Sequence, residues 1–238
     1  MNLLAVDTAG RTCSAALVSD GRLRAELFVH FDQTHARHLM KLVDSLMQLA
    51  GLQIADMDAY GVTVGPGSFT GLRIGLATVK GFALACDKPV AGITTLSALA
   101  YPLREDQGLL CPTIDARKGE VYAQIYQAGQ NALSLVSRAW VCSPEALARY
   151  VLQLDAPCRF MGSGALLYRD LLESHLGESA LFAPDAANHI RAGVVGEMAW
   201  HRARCGQTQS GFELVPEYIR NSDAERKRAA PAGVKAAR

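Results

Sequence analysis

Hydrophobic and polar positions alternate between two periods along this chain. Leu3-Leu4-Ala5-Val6 is a short apolar run that ends in Asp7. Residues 12–18 alternate, Asp20-Gly21 is a turn of the primed hairpin kind, and residues 23–30 return. The chain is therefore expected to open with three antiparallel strands. The period then changes to that of a helix over about 35–50, with Thr34 as cap and Gly51 just past the end. Leu39, Leu42, Val43, Leu46 and Leu49 share one face of it, and Met40 and Met47 make that stripe broader than one-sided packing requires. A strand at 59–64, a helix to about Asp87, a strand at 90–93 and a short helix at 94–103 follow.

A second apolar run, 109–115, again ends in an acid, Asp115, and again precedes an alternating segment, 120–126. The two starts form a weak internal repeat, which predicts two halves, each with a strand, an Asp-bearing turn and an antiparallel partner. Residues 1–105 make the first half and 106–220 the second. Within the second, a strand at 133–141 precedes a helix opened by Ser143-Pro144-Glu145. Gly162-Ser163-Gly164 marks a further strand-to-helix turn, and residues 185–205 read as a long helix carrying Ile190, Val194 and Met198, free to pack back on the first half. The Ala-, Lys- and Arg-rich residues 221–238 lack apolar periodicity and are expected to be a disordered basic tail. The alternation of strands and helices gives an α/β fold.

Composition narrows the function classes. Half of the 238 residues are hydrophobic, enough for one large or two small cores. Lys and Arg number 24 against 23 Asp and Glu, a net charge of +1. A chain that grips RNA or DNA by itself usually has a basic surplus, so direct, strong binding is not expected. No secretory leader and no run long enough to span a bilayer is read from the sequence. The six cysteines are scattered without a CxxC pair, which argues against thiolate zinc and for reduced thiols in a cytoplasmic protein.

The densest chemical signal is Gly65-Pro66-Gly67-Ser68-Phe69-Thr70-Gly71-Leu72-Arg73-Ile74-Gly75, between a strand and a helix N-terminus. Unpaired N–H groups and the helix dipole favour negative charge there. Yet a dinucleotide fingerprint would need glycine where Thr70 stands, and a P-loop would need Gly-Lys-Ser/Thr where the chain has Gly71-Leu72-Arg73. The loop could hold a phosphate, a partner's carboxylate, or only its own cap in Ser68 or Thr70. Asp7 and Asp115, at strand ends, are candidates for magnesium or phosphate chemistry, or they cap their own turns. Together Asp7, Gly65, Gly67, Ser68, Thr70, Asp115 and Arg117 form a candidate nucleotide or anion site. His35 and His38 share a helix face, but a pair without a third ligand is a poor metal site and reads better as the polar edge of a contact surface.

The helix after the loop is rich in small residues: Gly71 and Gly75, then Ala77, Gly81 and Ala85. Each interior glycine costs about 1 kcal/mol relative to alanine, so something must offset it. Close approach of another backbone would do so, either from a partner or from the protein's own sheet. Arg73, one turn in, can reach a carboxylate or phosphate.

These residues resemble the bacterial TsaB family. The likeness rests on Leu4-Ala5-Val6-Asp7-Thr8 with Cys13-Ser14-Ala15-Ala16-Leu17, on His35 opening a Leu-rich helix, and on the whole of residues 65–75. Ile114-Asp115-Ala116-Arg117 with Gly119-Glu120-Val121-Tyr122, and Pro216-Glu217-Tyr218-Ile219-Arg220-Asn221, extend it over most of the chain. The resemblance implies an actin/sugar-kinase/heat-shock ATPase-like fold of two ribonuclease-H-like halves. It also implies a role in making threonylcarbamoyladenosine at position 37 of tRNAs that read codons beginning with A. In that family the catalytic paralogue TsaD carries the metal, the ATPase TsaE joins the complex, and the TsaB-type subunit is a non-catalytic partner that touches tRNA only indirectly. No catalytic or metal residue is then expected here. No cofactor of its own is expected, with ATP or ADP placed at the interface with TsaD. The implied heterodimer surface comprises His35, Leu39, Met40, Leu42, Val43, Leu46, Met47, Gly71, Arg73, Ile74, Gly75, Thr78, Gly81, Phe82 and Ala85, and the same face suits a homodimer. The other reading left open is an ATPase or glycoprotease-type peptidase of the same superfamily, working through Asp7, Asp115 and His35.

Overall fold

Two sheets with the same strand order organise the molecule. The structure, a computed structural model, describes residues 1–30 and 37–219. The expected cap Thr34, the candidate His35 and the basic tail lie outside the described residues. Strands β1 (Asn2–Asp7), β2 (Thr12–Ser19), β3 (Arg22–His30), β4 (Ala59–Gly65) and β5 (Val90–Thr94) form the first sheet in the order β3-β2-β1-β4-β5. β1 pairs antiparallel with β2 and parallel with β4, in a register that sets Val6 opposite Val62 and Asp7 opposite Ser14.

The second sheet repeats this plan. Strands β6 (Gly108–Arg117), β7 (Glu120–Ala123), β8 (Tyr126–Gly129), β9 (Ala132–Leu135), β10 (Trp140–Cys142), β11 (Cys158–Met161) and β12 (Ala180–Phe182) include the path β10-β7-β6-β11-β12, with β8 and β9 beside it. β6 pairs antiparallel with β7 and parallel with β11, as β1 does with β2 and β4. The expected single strand at 120–126 is two, β7 and β8, and the one at 133–141 is likewise two, β9 and β10. The Ser137 hydroxyl accepts from Ile125 N–H at the break between β7 and β8. Alternation alone does not show where a strand changes partner.

Helices α1 (Leu39–Ala50) and α2 (Phe69–Cys86) belong to the first half, α3 (Thr95–Ala100) follows β5, and α4 (Pro144–Leu152), α5 (Ser163–Leu167) and α6 (Arg169–Leu176) belong to the second. Within 185–205 only α7 (Ala192–Arg204) is α-helical; a short 3-10 turn, Asp185–Asn188, precedes it. α7 packs across β1, β2, β4 and β5 of the first sheet. The close approach is set by Gly196, where a Cβ would stand 2.7 Å from Val18, and by Gly61, where one would stand 2.8 Å from Ala199. Its side chains join the core that contains Leu3, Leu4, Val6, Tyr60, Val62 and Leu96, while Cys111, Phe160, Ile125 and Leu147 form a second core under the other sheet.

α2 corrects one expectation. With 18 residues and a mean hydropathy of 1.3, it is long and apolar enough to cross a membrane by length and composition. In the fold it is the crossover between the parallel strands β4 and β5. A third of it is buried, and Phe69, Thr70, Arg73, Ala77, Gly81, Leu84 and Ala85 are exposed, so one face of an apolar helix is turned outward.

Candidate functional site

Asp7 ends a strand whose preceding residues, Leu3 to Val6, are all 0% exposed, and it is itself fully buried. Thr63, near the end of β4, donates its hydroxyl to Asp7 Oδ1 at 2.7 Å. The Ala9 N–H donates to the same oxygen at 3.1 Å. Asp7 Oδ2 has no hydrogen-bond partner among the described residues. Burial pushes the carboxyl up from 3.8 to about 7, against the opposing effect of the Thr63, Ala9 and Thr8 hydrogen bonds. The Cys13 thiol is likewise pushed up to about 12, first by burial and then by the nearby Asp7 charge.

The glycine loop closes over this turn. Ser68 N–H donates to Ala9 O at 2.7 Å, and the Ser68 hydroxyl accepts from Gly71 N–H at 3.2 Å as the α2 N-cap. Of the three readings left open for the loop, its own cap is therefore present. The Thr8 hydroxyl donates to Gly71 O at 2.7 Å. A Cβ at Gly71 would overlap the Thr8 carbonyl oxygen, one at Gly67 would stand 2.5 Å from Ala9 O, and one at Gly75 would stand 2.5 Å from Thr8 Oγ1. These glycines let α2 lie directly on the Asp7 turn. Gly65, at φ +127°, abuts a different neighbour: Glu217 N–H donates to Val64 O at 2.7 Å, and a Cβ on Gly65 would stand 2.5 Å from Glu217 O. Thr70 is exposed on the first turn of α2.

The other members of the candidate anion site lie on the second sheet. Asp115 is partly exposed; its Oδ1 accepts from Arg117 N–H at 2.8 Å, and its own N–H donates to Ser163 Oγ at 3.1 Å. Arg117 and Lys118 both adopt the left-handed backbone of a tight hairpin turn ending at Gly119. The recorded partners of Asp7 and Asp115 have no residue in common, so the two carboxylates are held in separate turns. Among the described residues no group of three or more His, Cys, Asp or Glu is placed to hold a metal.

The expected partner surface divides into inner and outer parts. Leu39, Val43, Leu46 and Met47 of α1, and Gly71 and Gly75 of α2, are buried in this chain's own core. They shape the helices but cannot contribute exposed area, which corrects that part of the expected surface. Met40, Arg73, Gly81 and Ala85 are exposed, and Leu42, Ile74, Thr78 and Phe82 are partly so. The small residues of α2 are two stripes rather than one. Gly71 and Gly75 face inward, whereas Ala77, Gly81 and Ala85 face outward, because the two steps from 75 to 77 turn a helix by about 200°. A Cβ at Gly81 would meet nothing within 4 Å. Leu49 at 76% and Leu84 at 46% add exposed apolar area. A groove of about 440 Å³ runs beside α1, lined by Met40, Val43, Met47, Leu52 and Ile54 among others.

Sequence reasoning missed Thr8 and Thr63, whose roles depend on partners some sixty residues away. It marked residues 216–221 for the family likeness but did not foresee where the segment after α7 would pack. Gln209 forms a bridge with Val90, Leu214 is fully buried, and the Tyr218 ring stacks on Phe69 at 5.5 Å between centroids. The Arg73 guanidinium lies 3.8 Å over the same Phe69 ring, and its Nε donates to the Tyr218 hydroxyl at 3.4 Å. The apolar spacing of Leu214, Tyr218 and Ile219 was the available signal.

Comparison with known proteins bears on this geometry. Residues 30–228 match the family model described as TsaD, tRNA N6-adenosine threonylcarbamoyltransferase. The chain is 32% identical to the tRNA threonylcarbamoyladenosine biosynthesis protein TsaB of Escherichia coli, with 95% of this chain and 98% of that protein covered. It is 29% identical to the Bacillus subtilis protein of the same name, over 95% and 97% of the two chains. Among solved structures, an uncharacterized Pseudomonas aeruginosa protein described as similar to the peptidase YeaZ aligns with a TM-score of 0.78 and 29% identity, covering 92% of this chain and 99% of that one. A ROK hexokinase of Thermus thermophilus aligns with a TM-score of 0.50 at 13% identity, over 86% and 100%, a likeness of fold alone that places the two sheets in the sugar-kinase class.

Proposed function

Because the chain belongs to the TsaB family, we propose that it serves threonylcarbamoyladenosine formation at position 37 of tRNAs reading codons that begin with A, as the non-catalytic partner of a TsaD-type transferase. The observation that carries this reading is α2. An 18-residue apolar helix with only a third of its length buried leaves an uncovered face, and that face is finely stepped at Ala77, Gly81 and Ala85. Small residues at four-residue spacing admit a second helix at close range. Met40 and Leu42 of α1 with Ile74, Thr78 and Phe82 of α2 complete the docking surface, and Arg73 lies at its edge. The family model's likeness to TsaD itself suits pairing between sister folds.

The first Asp turn supports the non-catalytic part. Glycine-mediated contact of α2 with Thr8 and Ala9 occupies the space above Asp7 with the protein's own backbone. A nucleotide is accordingly assigned to the seam with TsaD rather than to this turn. TsaE joins the assembly on a different surface, the chain works in the cytoplasm, and tRNA reaches it through the assembled complex. A homodimer would use the same α1–α2 face.

Gly81→Leu tests the docking surface, because its side chain enters open space and leaves the fold intact. Affinity for the TsaD-type subunit from the same cell, measured by titration calorimetry, is expected to fall at least about tenfold, or about 1.4 kcal/mol, with the thermal melt raised rather than lowered, since a helix-former replaces glycine in open space. Unchanged affinity overturns the docking surface. ATP hydrolysis by the isolated chain that disappears in Asp7→Ala would overturn the non-catalytic role.

A further inference from the structure

The docking helix α2 rests, at its N-terminal end, on a buried acid. Asp7 is 0% exposed, and its Oδ2 has no hydrogen-bond partner among the described residues. Oδ1 is the bonded oxygen, accepting from the Thr63 hydroxyl at 2.7 Å and from Ala9 N–H at 3.1 Å. A neutral acid with its second oxygen unbonded forgoes one ordinary hydrogen bond. A carboxylate in the same place is a charge without water or counter-ion, which is far more costly.

The causes that act on Asp7 are burial and three hydrogen bonds, with no charged side chain among them. β2 presents the Cys13 thiol, kept neutral because burial and then Asp7 push it up to about 12. β4 presents the Thr63 hydroxyl, and α2 presents Gly71, Gly75 and the Ser68 hydroxyl, none of which titrates. The charges at the near ends of the two helices packed on β1 are engaged elsewhere. Arg73 of α2 is exposed and lies over Phe69, and Arg191 at the start of α7 is paired with Glu26.

An ionised Asp7 needs water, and the structure limits how water can reach it. β1 is laddered to β2 on one side and to β4 on the other, so parting the strands breaks a run of backbone bonds. The route that leaves the sheet and the buried length of α7 in place runs under the first turns of α2. There the helix is held to the Asp7 turn by Ser68 N–H on Ala9 O, by the Thr8 hydroxyl on Gly71 O, and by the glycine contacts at 67, 71 and 75. Lifting those turns opens Oδ2 and moves Ile74 and Thr78, which belong to the docking surface.

We propose that Asp7 is a proton-operated latch for the docking helix. Protonated, it lets α2 sit on the turn with its outer face set for the partner. Ionised, it draws water in, lifts the first turns of α2 and weakens docking. This deepens the docking reading, as regulation of the same surface, and rests on it. Burial fixes the sign: the carboxyl is pushed up from 3.8 to about 7 with α2 seated, and hydration on lifting returns it toward its ordinary value. The seated form therefore holds the proton more tightly, is favoured below pH 7 and is lost as the pH rises through 7. By reciprocity, docking above pH 7 takes up a proton.

The test reads the full chain in two ways between about pH 6 and about pH 8.5. Amide hydrogen exchange of the isolated chain gives the protection of the first turns of α2 relative to β4, corrected for the intrinsic pH dependence of exchange. Titration calorimetry gives affinity for the TsaD-type subunit. Wild type is expected to lose at least about tenfold in both over that range, and Asp7→Asn less than about twofold. Thr63→Val removes a bond that favours the carboxylate, so its midpoint is expected to move up by about one pH unit; it carries the test where Asp7→Asn does not fold. Equal pH profiles in wild type and Asp7→Asn, or a midpoint in Thr63→Val that stays or falls, overturn the latch. Protection that falls while affinity stays flat overturns its control of docking. If Gly81→Leu weakens docking but the profiles are flat, the latch fails and the docking surface stands. If Gly81→Leu leaves docking unchanged but protection still follows Asp7, the docking surface fails and the latch stands.

Discussion

The two Asp turns share a sequence pattern and a strand plan but not an environment. Asp7 and Asp115 each end an apolar strand that pairs antiparallel with the next strand and parallel with a later one. Asp7 is fully buried, with one oxygen bonded to Thr63 and Ala9 and the other without a partner. Asp115 is partly exposed and caps the N–H of Arg117. The difference comes from what covers each turn. α2 lies on the first through Gly67, Gly71 and Gly75, whereas the second is a hairpin turn with Arg117, Lys118 and Gly119 exposed. The same local motif is a sealed structural joint in one half and a surface turn in the other.

The largest expected effect separates the turns by pH. A buried acid whose folded pKa is raised from 3.8 to about 7 binds more protons in the folded state between those values. Its contribution is fully present below pH 4 and is lost as the pH rises through 7, an effect of about 4 kcal/mol at most. Asp7→Asn keeps an acceptor for Thr63 and Ala9 and cannot ionise. Chemical denaturation at pH 5 and pH 8 is expected to show the variant gaining on wild type at the higher pH. A constant difference between the two would break the comparison.

Next in size is the seam itself. Gly71→Val places carbon against the Thr8 backbone, which cannot move without disturbing β1, and is expected to cost about 3 kcal/mol or to prevent folding. A melting temperature within a degree or two of wild type would show that α2 does not depend on the Thr8 contact. On the outer stripe of the same helix, Gly81→Ala removes glycine's entropy where the new methyl touches nothing, and should stabilise by about 1 kcal/mol in the same assay. Opposite signs at positions 71 and 81 are the sharpest mark of an inner and an outer face. The smallest effect belongs to the second turn: Asp115→Asn retains an acceptor for Arg117 N–H at a partly exposed site, with an expected change under about 0.5 kcal/mol.

Much of this could be read before the fold was known. The opening hairpin, α2, β4, β5 and the Ser143-Pro144 helix start stand close to where periodicity and caps put them, and α1 ends at Gly51 as expected although it is α-helical only from Leu39, with no side-chain cap at His38. Ser68 is the α2 cap, one of the two residues expected for it. The glycine spacing correctly pointed to close backbone approach but not to its partner: Gly71 and Gly75 meet this chain's own Thr8, so a bulky residue at 75 tests folding, and only 81 tests docking. The wide apolar stripe on α1 was likewise mostly core, with Leu39, Val43, Leu46 and Met47 turned inward. The anchoring of residues 209–218 over β5 and α2 had no local signature strong enough to announce it.

The sequence by itself determined the elements that short-range chemistry controls: strand and helix periods, turns, caps, and the recurrence of an Asp-ended strand. The pattern within a few residues settles these, because backbone geometry and hydrogen bonding are local. The tertiary structure alone decided which Asp lost its water and which glycines became a seam. Those outcomes depend on contacts such as that between Thr8 and Gly71, 63 positions apart, and burial, unlike periodicity, belongs to whatever distant segment comes to rest on top.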